Sequence, residues 1–320
     1  MLNKTLAALG GALTLAALVA SPANAQDGTG TGNGPASSQS AISAPSSRVT
    51  PSRMDRQRQN REQRNQAPAP VDPAVIKAEA EAVLASASVT CQVTDSKLLG
   101  QTAEQTKIYE TACSGAPGYI VVASTPPQAV DCVILDSQAQ AARAANPEAP
   151  TGPTCTLPGN LDIQGFLKAY ATQASVPCTV DEVKVRGQSG DGAVIYEVGC
   201  AGADGYWIEK SASGWEKTEC LQILSQNSTC LFTTPAEQAA TVKAWLPGTD
   251  AAACDVQQVR LMGQNANGRF IEMTCAGADG FIIRQNAERV VQQVYPCATA
   301  QQIGGGCKLT TTPPAATPQA

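Results

Sequence analysis

Twelve cysteines carry most of the chemical potential of this chain, and they fall in three sets of four. Thiols at fixed spacing can hold a metal, exchange disulfides or form structural bridges. The spacing separates these options. Cys91, Cys178 and Cys254 each stand nine residues before a Gly-Gln pair, Gly100-Gln101, Gly187-Gln188 and Gly263-Gln264. Cys113, Cys200 and Cys275 each follow a Glu by three: Glu110, Glu197 and Glu272. Cys132 with Cys155, Cys220 with Cys230 and Cys297 with Cys307 complete the sets. No Cys-x-x-Cys occurs, so thioredoxin-like exchange has no motif. The chain has no histidine, which removes Ser-His-Asp and Cys-His catalysis and His-ligated zinc. The leader described below points to an exported, oxidising setting, so the cysteines read as disulfides rather than metal ligands, and the even count agrees.

The other reactive types do not assemble into a recurring site. The repeated Glu has no second carboxylate at a matching position, so general acid–base catalysis is not indicated. There is no P-loop and no dinucleotide fingerprint, and Gly-Ala-Asp-Gly is too short and acid-poor for a calcium loop. No cofactor or metal is implied, and the chain reads as a non-enzyme. Aromatic residues are the remaining candidates: Tyr206-Trp207, Trp215 and Trp245. In a strand one ring of Tyr206-Trp207 faces the core and its neighbour faces out. Trp207 is therefore a candidate contact residue, and packing beneath a neighbouring module is the structural alternative.

The elements that position these residues form one unit used three times. Asp72-Pro73 and Thr234-Pro235 pair an N-cap with Pro at the first helical position. They predict helices over 74–87 and 236–246, and Asn160 or Asp162 caps a helix through Phe166, Leu167 and Tyr170. After each helix, two apolar runs flanking polar turn residues predict a hairpin. Its register sets Lys97 opposite Glu110, Lys184 opposite Glu197 and Arg260 opposite Glu272. Leu98 then faces Tyr109, and Val185 faces Tyr196. The expectation is a surface ion pair on one face and an apolar pair on the other. A second tight turn is expected at Pro117-Gly118, Asp204-Gly205 and Asp279-Gly280. Third strands follow over 119–123, 206–210 and 281–285, with a less definite fourth leading to the third cysteine. Residues 139–152 read as an Ala/Pro-rich insertion in the loop between Cys132 and Cys155.

Four cysteines allow three pairings per module, and sequence alone does not choose. The hairpin geometry favours first-to-second and third-to-fourth, with a bulge required because the first two stand out of line. Modules of this size are near the lower limit for a self-sufficient core, so the bridges bear on whether they fold. The units could stack as in solenoids or remain beads.

Targeting and charge bound the setting. Lys4, an apolar run over 6–20 and Ala23-Asn24-Ala25 read as an export signal over residues 1–25. The expected site is the periplasm or the medium, with no membrane-spanning helix. Asn227-Ser228-Thr229 fits a glycosylation sequon, which carries little weight beside a bacterial-looking signal. Residues 26–71 form a Gly/Ser/Pro/Arg-rich arm expected to be disordered. Between Gln26 and Ala69 stand six arginines, including Arg53, Arg56, Arg58, Arg61 and Arg64, against three acids. From Asp72 onward the chain holds 24 acids and 15 bases. The arm is a solvated spacer or an electrostatic tether to an anionic envelope polymer or acidic protein. Nucleic acid fits poorly. The modules span 72–158, 159–233 and 234–311, followed by a disordered tail over 312–320.

The string Tyr-Glu-x-x-Cys-Ala-Gly-Ala-Asp-Gly-Tyr at 196–206 is similar to that of uncharacterised exported cysteine-repeat proteins of alphaproteobacteria. The resemblance covers the repeated core of each module and implies no activity. The expected fold is α+β: three tandem small disulfide-stapled modules, each one helix plus a three- or four-stranded antiparallel meander, after a disordered arm. The expected function is a non-catalytic binding or scaffolding array of the envelope. An inhibitor of a secreted hydrolase is the alternative, and an enzyme of unrecognised type the third.

Overall fold

The computed structural model describes residues 71–310, apart from 149 and 212. The expected signal, nearly all of the arm with its arginines Arg53, Arg56, Arg58, Arg61 and Arg64, and the tail lie outside the described residues.

Each module is a four-stranded antiparallel meander preceded by a helix. In the first, α1 (Pro73–Ser86) leads to β1 (Val93–Gln101), β2 (Lys107–Cys113), β3 (Ala116–Val122) and β4 (Gln128–Asp131). A second helix, α2 (Cys132–Ala145), begins at the third cysteine. The middle module has α3 (Ile163–Gln173), β5 (Val180–Gln188), β6 (Val194–Cys200), β7 (Ala203–Ser211), β8 (Gly214–Glu219) and the short α4 (Cys220–Ser225). The last has α5 (Pro235–Ala244), β9 (Val256–Asn265), β10 (Gly268–Cys275), β11 (Ala278–Gln285), β12 (Val291–Pro296) and a 3-10 turn at Cys297–Thr299. Strand order within every sheet is sequential.

The expected caps hold. Asp72 accepts the Ala74 N–H at 2.9 Å, Asp162 accepts from Gly165 at 2.9 Å, and Thr234 forms a capping box with Glu237. The hairpin register is also as expected, with Lys97, Lys184 and Arg260 opposite Glu110, Glu197 and Glu272. Six bridges pair first with second and third with fourth cysteine in every module. The required bulges lie just after Val93 and Val180 and beside Cys275. Further irregularities fall at Gly100 and Gly187, where φ is 154° and 159°. That accounts for the Gly of the Gly-Gln pairs.

The second turn is not where the sequence pointed. Strands two and three close at Cys113–Ala116, Cys200–Ala203 and Cys275–Ala278, three residues earlier than expected. The left-handed residues are Gly115, Gly202 and Gly277, with φ of 66°, 68° and 66°. The other repeated glycine serves a different need. A Cβ at Gly205 would stand 2.5 Å from the Val198 carbonyl oxygen, and one at Gly280 would stand 2.5 Å from that of Met273. These positions require close approach, not positive φ. The Asp before them reaches across to a free N–H at the start of the following helical turn: Asp204 accepts from Leu221 of α4 at 3.1 Å, and Asp279 from Ala298 of the 3-10 turn at 3.0 Å. In the first module Pro117 stands in that place, and Asp131 caps the helix instead, accepting from Val133 at 2.6 Å.

The loop reading after the third cysteine is likewise corrected. Residues 132–145 are helical, so the first half of the expected insertion extends a helix. That helix joins the modules. Val133, one residue past Cys132, is buried in the core of the middle module with Leu167, Val185 and Tyr196. Leu221, one residue past Cys220, is buried in the core of the last with Val242, Ile271 and Met273. The matching residue of the last module is Ala298, small and exposed. The modules are therefore stacked units that complete one another's cores, as in solenoid repeats.

Candidate functional site

The repeated Glu is the side chain most capable of chemistry, and its surroundings contradict the expected surface ion pair. Glu110, Glu197 and Glu272 are each fully buried, with 0 % exposure. The register was right, but the face bearing the Glu is covered by the chain that follows the fourth cysteine. Glu110 accepts from the N–H groups of Thr156 and Leu157 at 2.6 and 2.7 Å, from the Thr156 hydroxyl, and from the Asn160 amide at 3.0 Å. Glu197 accepts from the N–H groups of Leu231 and Phe232. Glu272 accepts from those of Lys308 and Leu309 at 2.6 and 2.5 Å. Each carboxylate thus holds the returning loop by charge-assisted backbone bonds.

The cationic partners also differ from expectation. Arg260 pairs with Glu272 at 2.5 Å as foreseen. Glu197 is paired by Arg186 at 3.0 Å, two residues beyond Lys184, although Lys184 is its neighbour in register. Glu110 has four neutral donors instead, and Lys107 pairs with Glu79 at 2.7 Å. Burial pushes the Glu110 carboxyl up, but the bonds from Leu157, Asn160 and Thr156 outweigh it and hold the carboxyl below its usual range. A group saturated in this way is a structural latch.

Each Glu also lies beside the third and fourth cysteine sulfurs, a grouping within 4.8 Å that has the composition of a metal site. Those sulfurs are joined as disulfides and offer no thiolate ligands.

Trp207 does point away from the helix-covered face, as the alternation required, but it is not exposed. It packs with Ile195, Cys220, Ile223 and Cys230 at 7 % exposure. Its indole N–H donates to Glu197 at 3.4 Å, and Arg186 lies over its ring at 5.7 Å. The second face of the sheet is a small core of its own, so the strand reading that exposes Trp207 fails there. Trp215 lies tilted against Tyr170 and Tyr196, with ring centroids at 5.3 and 6.0 Å. Trp245 packs against the core of the last module.

A feature with room for a ligand lies between modules. A cleft of about 710 Å³ opens beside α4, lined by Trp207, Glu209 and Gln222 on one side and by Leu261, Gly263 and Gln264 of β9 on the other. No sequence pattern pointed to it, because it depends on how two units meet. The only available signal was the shorter spacing of Cys220 and Cys230, ten residues against 23 in the first module.

Comparison with protein-family models, curated proteins and solved structures gave no match. The molecule is defined by its own geometry: an α+β array of three interlocked, disulfide-bonded modules with a cleft at the second junction.

Proposed function

We propose that the chain is an exported, non-catalytic binding array of the cell envelope. The observation that carries this reading is the interlocking of the modules through Val133 and Leu221, which makes a stacked surface of three small units. The repeated carboxylates are committed to holding loops, so the recurring chemistry supports shape. Six disulfides suit an oxidising compartment, which together with the signal-like leader favours the periplasm or the medium. Among the described residues no helix is long and apolar enough to cross a membrane. The basic arm supplies attachment to an anionic envelope polymer or acidic protein, and the folded array presents the binding surface.

The test is retention of the mature chain on envelope fractions across a salt series. Retention should fall steeply with salt, because exposed charges are screened beyond about 8–10 Å at physiological ionic strength. Replacing the six arm arginines by Gln should release a still-folded protein. Retention indifferent to both would remove the arm from the mechanism.

A further inference from the structure

The cleft belongs to one junction and not to the repeat. At the first junction α2 runs on to Ala145, and its Asp136, Ser137 and Gln140 meet Lys184 and Val185 around a space of only about 20 Å³. At the second, α4 stops at Ser225, and Asn227 turns the chain back with φ of 59°. The sheet face beyond that helix end is left open, and the end of β9 forms the facing wall.

The lining selects a chemical class. Ile195, Ile223 and Leu261 supply an apolar floor. Gln222, Gln226, Asn227, Gln264 and Asn265 supply amides, each able to donate and accept. Glu209 and Glu216, opposite each other in the β7–β8 register, supply carboxylates. Glu209 is buried to 8 % exposure and is held by the Ser189 hydroxyl at 2.7 Å. No Lys or Arg lines the cleft, which disfavours an anion. The amides and carboxylates disfavour a purely apolar ligand. β7, which supplies Trp207 and Glu209, is paired on both sides by β6 and β8; a peptide strand could add only along the free edges of β8 or β9, and a bound peptide is one of the outcomes tested below. A ligand with many hydroxyls, each a donor and acceptor, and with apolar C–H faces matches all of these features. Preformed sites of this volume at the junction of two folded units commonly hold ligands.

We propose that the cleft between the second and third modules binds a neutral saccharide chain. This assignment rests on reading the molecule as a binding array and names the ligand class of one site on it.

The mature chain should be titrated with cellohexaose, chitohexaose and maltohexaose, followed by calorimetry and amide NMR. The expected result is saturable binding of at least one, with shifts centred on Gln226, Gln264 and Asn265. Ser225→Trp, a plug at the exposed end of α4, should weaken binding roughly tenfold or more. Glu81→Trp on α1 should leave it unchanged, and both variants should keep the wild-type melting profile. If Ser225→Trp does not fold, Gln264→Ala with Asn265→Ala replaces it and should weaken binding in the same direction. Three outcomes would overturn the proposal: no binding of any of the three, shifts mapping away from the cleft, or a peptide of residues 48–64 occupying the cleft while the saccharides do not. Envelope retention through the arm is measured separately. Its persistence alongside a failed titration would discard the saccharide site and keep the array.

Discussion

At the residue scale the decisive side chains are the three buried glutamates. A sequence shows that Glu197 and its counterparts recur, and the register that places them was legible. What the sequence does not show is that the second face of each sheet is covered, because the covering chain arrives from beyond the fourth cysteine. Burial turns a surface pair of small effect into a charge that needs every one of its donors. Glu197→Gln keeps the shape but removes the charge that answers Arg186 and the Leu231 and Phe232 N–H groups. It should destabilise the fold by about 2–4 kcal/mol, read as a shift in urea midpoint at unchanged slope. A loss below about 1 kcal/mol would return Glu197 to the role of a surface pair. Trp207 teaches the same lesson from the other side: alternation correctly predicted which way it points and said nothing of what lies there.

At the element scale, helix starts were readable because Asp72, Asp162 and Thr234 are local signals. Strand pairing was readable because β-branched runs and turn residues alternate within one hairpin. The second turn was misplaced because Asp-Gly is a strong turn pair out of context. Here the Asp binds the start of a helix 17 residues further on, and the Gly admits a neighbouring carbonyl. The two glycines should therefore respond differently to Ala. Gly202→Ala forces a Cβ into the left-handed region and should cost about 1–2 kcal/mol. Gly205→Ala drives a Cβ against the Val198 carbonyl and Thr233, and should cost about 1–3 kcal/mol with shifts in the amides of both partners. Perturbation confined to residues 200–206 in the second variant would contradict the close-approach reading. The helices after Cys132 and Cys220 escape the sequence because the fourth strand runs directly into the third cysteine, and Asp204, which binds the second helix start, looks locally like half of a turn pair.

At the scale of the whole molecule, the modules meet through those same helices, and titration should report on the junctions. Burial pushes Asp131 up to about 6 despite the bonds from Val133 and Ile134, and it pushes Asp204 up to about 6 despite those from Leu221 and Gln238. A carboxyl whose folded value is raised binds its proton more tightly in the folded state. Stability from these groups is therefore gained as pH falls through about 6 toward the ordinary Asp value and lost on the way back up. Glu110 is shifted the other way, so its contribution is present above the ordinary Glu range and is lost below it. Urea midpoints should be higher near pH 5 than near pH 7.5. Asp131→Asn combined with Asp204→Asn should flatten that slope. A slope unchanged in the double variant would place the titrating groups elsewhere.

Leu221 was legible only in retrospect. It is an apolar residue one place after a cysteine in a unit that has a successor, whereas Ala298 holds that place in the last unit. The central claim is that such residues make three modules one body, and 15N relaxation over residues 71–310 tests it most directly. The expected result is a single rotational diffusion tensor fitting the amides of all three sheets, with Leu221→Asp freeing the last module from the first two. Separate tensors for the three sheets in the wild-type chain would show independent beads and would contradict the interlocked array.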